Sequence, residues 1–302
     1  MALYFTRRTY NAQNNIFTNN VAALTRYVEL GANNRGRSLE RDAWLALVEA
    51  DMKSPDITIF VHGFNTPQAS MLQRRAKLES VLRAQGYRGA VLAFDWPSDG
   101  VVFNYSRDRK DAKKSAPSLV VDGVLPLLSL PARPKVNLIA HSMGAYLTLR
   151  ALSEFGDAAG PGGAPWKLNE VVFVSADADT AWFGKGAWGS LLLAHRANRF
   201  TNYFSQHDDT LNLPALLTNR FAKRVGRTGM PDLVADNHVD IYSHEQYFKD
   251  VAFEDRDTIT SHTWWFDNDA WGRDLAQTLA GNADQGRPTR RPTDRGGLAL
   301  FS

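Results

Sequence analysis

Four short, nearly unbroken runs of aliphatic, aromatic and β-branched residues mark the first two-thirds of the chain. They are 57–62 (ITIFVH), 90–96 (AVLAFDW), 135–141 (KVNLIAH) and 171–176 (VVFVSA). Runs this short and this continuous predict parallel strands buried on both faces, because a strand with one wet face alternates apolar and polar positions instead. Two weaker runs follow at 200–206 (FTNYFSQ) and 239–242 (VDIY). An N-terminal piece, 2–8, is expected to add an edge strand.

Helical spacing fills the gaps. Segment 68–85 places Met71, Leu72, Leu78, Val81 and Leu82 on one face, with Gly86 as its stop. Segment 110–128 is a looser helix, interrupted by Pro117 and Pro126, and 142–155 is a firm one that ends at Gly156. A last helix, 268–279, has Asn268 or Asp267 as its N-cap and Gly281 beyond its end. Strands alternating with helices in this way predict an α/β fold, a doubly wound and mostly parallel sheet with helices on both faces.

Three stretches break the alternation. Segment 156–165 (GDAAGPGGAP) reads as a flexible surface loop. Segment 213–237 reads as an insertion able to fold over a site as a cap. From 281 onward the Arg-, Pro- and Gly-rich tail reads as disordered. One domain over 1–280 is expected, with 1–50 as an N-terminal extension.

Composition narrows the function. The chain has 302 residues, no Cys, and 35 Lys and Arg against 32 Asp and Glu. Without Cys there can be no disulfide, thiolate metal site or cysteine nucleophile. The tail holds four Arg (Arg287, Arg290, Arg291, Arg295) against Asp284 and Asp294, so most of the small positive charge sits there. The body is close to neutral, which argues against a nucleic-acid partner. The longest apolar stretch, 119–130, contains Asp122, Gly123 and Pro126, so no membrane span is expected. No signal peptide is visible, and a soluble cytoplasmic protein is the expectation. The seven His show no metal-ligand spacing, so no metal and no organic cofactor is expected.

The sharpest chemical signal is 137–144, NLIAHSMG. Ser142 stands between a buried strand and a helix, on a tight turn that lifts its hydroxyl above the sheet edge. Such a turn needs small residues two positions before and after the serine, and here they are Ala140 and Gly144. The helix N-terminus behind Ser142 aims backbone N–H groups at any negative charge that develops there. Ser142 is therefore the candidate nucleophile. Upstream, the first strong strand ends in His62-Gly63-Phe64. The N–H of Phe64 and that of Met143 would together form an oxyanion hole. His62 and His141 read as turn-shaping residues, not as bases.

These stretches resemble the α/β-hydrolase superfamily, closest to a bacterial branch of unknown function. The resemblance rests on IFVHGFNTP, LAFDWPS, NLIAHSMGAYLTLRAL, VVFVSADAD, SQHDDTL and SHTWWFDNDAWGRDL, in that order over roughly 55–280. It implies a serine hydrolase whose triad runs Ser, acid, His along the chain. It implies Asp208 as the acid, in the loop after the strand at 200–206. Asp209 is the neighbouring alternative, and Asp177 and Asp179 are rivals after the preceding strand. It implies His262 as the base, in Ser-His followed by aromatics, with His244 as the alternative. His207 and His238 suggest nothing special. Phe64, Trp96, Trp182, Phe183, Trp188, Trp264 and Trp265 either line an apolar pocket or pack the core.

The function expected is cleavage of carboxylic esters through an acyl-enzyme, on a small-molecule ester or acyl substrate. The alternatives are an amide or other acyl hydrolase or transferase on the same triad, or a non-catalytic binding protein on a hydrolase scaffold.

Overall fold

The structure, a computed structural model, describes residues 2–14, 16–31, 36–98, 104–212, 222–231, 235–294 and 297–302. The runs expected as buried strands are strands: β4 (Asp56–Val61), β5 (Ala90–Asp95), β6 (Lys135–His141) and β7 (Leu168–Val174). The weaker runs give β8 (Ala197–Phe204) and β9 (His238–Tyr242). Ahead of them lie β1 (Ala2–Asn11), β2 (Ile16–Leu30) and β3 (Gly36–Leu39); behind them lie β10 (Arg290–Pro292) and β11 (Leu298–Leu300).

All join one 11-stranded sheet in the order β10-β11-β9-β8-β7-β6-β4-β5-β1-β2-β3. Every neighbouring pair from β11 across to β1 is parallel. The N-terminal strand is not an edge. β1 pairs with β5 through Leu3–Leu92 and Phe5–Phe94, and β2 and β3 continue the sheet antiparallel beyond it. Leu3, Tyr4 and Phe5 are buried on both sides, which an edge beside solvent would not allow.

Alternate strand residues feed two separate cores, as the two-residue period of a strand requires. Ile57, Ile59 and Val61 pack on one face with Trp44 of α1 (Arg41–Asp51) and Ala112 and Ala116 of α3 (Tyr105–Ser118). Leu147 of α5 (Met143–Ser153) and Leu193 of α6 (Trp188–Arg196) join that face. Phe60, Ile139 and Val172 pack on the other with Leu78 and Leu82 of α2 (Gln68–Ala84) and Trp271 and Leu275 of the helix Asp269–Leu279. Asn268 caps that last helix, accepting the Trp271 N–H at 2.8 Å. The looser helix begins earlier than expected, at Tyr105, and passes Pro117 by widening into a π turn, Leu119–Val124, before α4 (Leu125–Leu128).

The tail corrects the expectation of disorder. Its strand β11 pairs parallel with β9, and Arg290 is buried against Asp274, with Nη2 at 2.7 Å from Oδ2. Arg287 is buried beside it and donates to Thr278 Oγ1 at 2.7 Å. The composition of the tail suggested solvated arginines, but Asp274, on the last helix, carries the counter-charge that lets two of them enter the fold. Arg295 lies outside the described residues. So does most of the expected cap insertion, 213–221 and 232–234; residues 222–231 return across the ends of β7 and β8, where Val225 N–H bonds Ala178 O and Ser205 N–H bonds Gly226 O.

Candidate active site

The chain runs from β4 out to β5, then crosses back to lay β6 on the other side of β4. The strand order reverses at that point, and open α/β sheets place their ligand sites at such a reversal, at the carboxyl ends of the strands, here β4 and β6. Ser142 follows β6 directly, and Gly63-Phe64 follows β4.

Ser142 sits at φ 56°, ψ −126°, left-handed backbone that a non-glycine residue adopts only under constraint. Its N–H extends the ladder by donating to Val174 O at 3.1 Å, and its carbonyl accepts from Ala145 N and Asp177 N, each at 3.0 Å. The hydroxyl makes no capping bond to α5. Two glycines make the close approach possible. A Cβ on Gly144 would lie 2.5 Å from Val61 O, and one on Gly63 would lie 2.5 Å from Ser142 Cβ. The backbone leading into Phe64 is thus packed directly against the serine.

Asp208 and His262 meet across 54 residues of chain. Nδ1 of His262 lies 2.9 and 2.8 Å from the two Asp208 carboxylate oxygens. Asp208 is fully buried, whereas Ser142 and His262 each keep 6% of their surface exposed. With Nδ1 committed to a carboxylate, the proton sits there and Nε2 is the free basic nitrogen. Among the described residues no hydrogen bond joins the Ser142 hydroxyl to His262. The two are tied through the backbone: His141 Nε2 donates to His262 O at 2.9 Å, with the two rings 4.6 Å apart. Burial, and then the neighbouring His262, push the His141 pKa well below its ordinary value, so that ring stays neutral.

The other candidates are engaged elsewhere. Asp177 lies beside Ser142, but its carboxylate accepts from Tyr105 Oη at 2.7 Å and faces Arg224 Nε at 3.0 Å. Asp179 caps a short turn by accepting from Ala181 N at 3.0 Å. Asp209 is half exposed and pairs with Arg227 at 3.6 Å. His244 stacks on His207, ring centroids 4.5 Å apart, and on Tyr242. His62 is wholly buried: Nδ1–H donates to Gly63 O at 2.9 Å, Nε2 accepts from Trp96 N–H at 3.1 Å, and the ring stacks on the Trp96 indole. Of the aromatic candidates, Trp96, Phe183, Trp264 and Trp265 are core, while Phe64, Trp182 and Trp188 retain exposure.

Sequence reading did not find the support of the Phe64 loop. Arg8, from β1, is buried with Asp95 at 2.7 Å and donates to Thr66 O at 2.9 Å and Ser98 O at 3.2 Å. Burial alone would raise the Asp95 pKa; Arg8 overcomes that and holds it below the usual carboxylate range. Nothing local in the sequence marks Arg8, because its partners lie 58 and 90 positions away.

A family model described as an alpha/beta hydrolase of unknown function (DUF900) matches residues 39–251. The chain belongs to this α/β-hydrolase family. Ser142, Phe64, Asp177 and Asp208 lie within the matched residues of this α/β hydrolase, and His262 lies beyond them. Over 83 residues it is 35% identical to the uncharacterized protein alr1448 of Nostoc sp., a match covering 28% of this chain and only 21% of that protein. Among solved structures it is similar to a cutinase-like protein from Cryptococcus sp., at 12% identity and TM-score 0.39, covering 77% of this chain and 99% of that one. It is also similar to esterase B from Lactobacillus rhamnosis, at 11% identity and TM-score 0.40, covering 77% and 78%. Likenesses this distant leave the family match and the strand order as the basis of the fold. No helix among the described residues is long and apolar enough to cross a membrane, and no group of three or more His, Asp or Glu among them could hold a metal ion.

Proposed function

We propose that this α/β hydrolase cleaves carboxylic esters through a covalent acyl-enzyme on Ser142. The observation that carries the reading is the Asp208–His262 pair, whose single Nδ1–H is shared between both carboxylate oxygens, held against the left-handed Ser142 turn by the bond from His141 to the His262 carbonyl.

In the first half-reaction His262 Nε2 takes the Ser142 proton as Oγ bonds to the acyl carbon. The carbonyl π electrons move to oxygen, and the N–H groups of Phe64 and Met143 stabilise that oxyanion. Asp208 keeps the imidazole in the correct tautomer and offsets its positive charge. The C–O bond then breaks, and His262 returns the proton to the leaving alkoxide. In the second half-reaction water, deprotonated by His262, adds to the acyl-serine and Ser142 leaves with the proton. Esters demand least of this machinery, since an alkoxide departs more readily than an amide nitrogen.

A fluorophosphonate probe tests the nucleophile. Labelling of the wild-type chain and its loss in Ser142→Ala are expected, together with loss of p-nitrophenyl ester hydrolysis. A Ser142→Ala protein that still labels and still turns over would refute the assignment.

A further inference from the structure

Beside the elbow lies a group of charged side chains that the proposed chemistry does not use. Asp177, whose N–H bonds the Ser142 carbonyl at 3.0 Å, is clasped between Tyr105 and Arg224. Tyr105 also touches the proposed oxyanion loop, its ring 5.5 Å from that of Phe64. Arg109 donates to Tyr105 Oη at 3.3 Å and lays its guanidinium over the Tyr146 ring at 3.8 Å. Tyr146 is one helical turn beyond Ser142.

Arg224 is the unusual member. It is only 7% exposed, yet among the described residues none of its side-chain nitrogens makes a hydrogen bond. Among the described residues its side chain pairs with Asp177, reached by Nε at 3.0 Å outside hydrogen-bond alignment. Its Nε–H is buried without a hydrogen bond, which costs free energy, and the four Nη–H donors of the guanidinium are likewise unpaired among the described residues. Tyr105, buried and next to Asp177, stays protonated, so it adds no negative charge. Arg109 makes no ion pair among the described residues, so within this group two guanidinium groups stand against one paired carboxylate, an excess of one positive charge.

We infer that Arg224 and Arg109 form a subsite for a carboxylate carried by the substrate, so that the preferred ester bears an acid at the end of a short spacer from the scissile carbonyl. A single excess charge matches a monocarboxylate better than a doubly charged phosphate. The aromatic faces of Tyr146 and Phe64 suit the spacer. This inference rests on Ser142 being the reacting group.

The test compares mono-p-nitrophenyl glutarate with neutral p-nitrophenyl hexanoate, using Ser142→Ala as the blank. The double variant Arg224→Gln/Arg109→Gln removes both guanidinium groups of the subsite and leaves Ser142, Asp208 and His262 in place. A subsite predicts at least a tenfold fall in the glutarate-to-hexanoate ratio of kcat/KM, expressed mainly in KM. Calorimetry of glutarate on the Ser142→Ala protein should show binding that weakens at least tenfold when the double change is added. Should the double variant not fold, Arg109→Gln, at a half-buried position, is expected to lower the same ratio and decides alone. Hydrolysis of both esters with an unchanged ratio and unchanged glutarate binding would overturn the subsite and leave the hydrolase reading intact. Arg224-dependent glutarate binding with no hydrolysis of either ester would do the reverse.

Discussion

Gly63→Ala isolates the packing of the candidate site from its chemistry. Gly63 has no left-handed backbone, so alanine suits its conformation and the perturbation is one methyl group. That methyl would lie 2.5 Å from Ser142 Cβ and 3.1 Å from both Ser142 Oγ and His141 O, against an ordinary contact of 3.4–4 Å. The serine turn and the Phe64 loop must part by about 1 Å, and a misplacement of that size costs about 100-fold in rate. This is about 2.7 kcal/mol of transition-state stabilisation. Steady-state hydrolysis of p-nitrophenyl butyrate measures the loss, and a thermal melt separates it from unfolding. Gly156→Ala is the control, since nothing lies within 4 Å of its added methyl, and its rate should match wild type. A folded Gly63→Ala protein with an unchanged rate would show that the reaction does not take place between these two loops.

Asp208→Asn is expected to lower kcat by about four orders of magnitude with the fold retained, because a neutral partner permits the wrong imidazole tautomer; Asp209→Asn, half exposed, should keep most activity. His262→Ala should abolish ester hydrolysis and His244→Ala should not; the opposite outcome would move the base to the helix His244–Asp250. Arg290→Ala removes the closest cation from the buried Asp274 carboxylate, leaving Arg287 at 3.9 Å, and should cost about 3 kcal/mol in urea unfolding, whereas a truly disordered tail would show no change. Burial lowers the His238 pKa from 6.5 to about 4, and lowers those of His62 and His141. The unfolded chain then binds more protons than the folded one, so this stability is present above pH 6.5 and is lost as the pH falls toward 4. Melts that are flat over that range would contradict the buried, neutral histidines.

The chain's own pattern determined the parallel strands β4 to β9, the helices α2, α3 and α5 and the serine turn, because each is a local matter; it did not mark α6 between β7 and β8. Continuous apolar runs seek burial on both faces, and a serine flanked by Ala140 and Gly144 after such a run can only follow a tight strand-to-helix turn. Tertiary structure alone decided the rest. Whether Asp177 or Asp208 faces an imidazole depended on where the loops after β7 and β8 closed, and Arg224 and Tyr105 engaged the first while His262 engaged the second. Local pattern also hid the roles of the two ends of the chain. β1 lies inside the sheet, where Arg8 meets Asp95, and the described residues of the tail fold back on the last helix, where Arg290 meets Asp274. An ion pair between residues 87 or even 16 positions apart has no local signature: each arginine alone reads as a solvated charge, and only the folded chain supplies the carboxylate that makes its burial favourable.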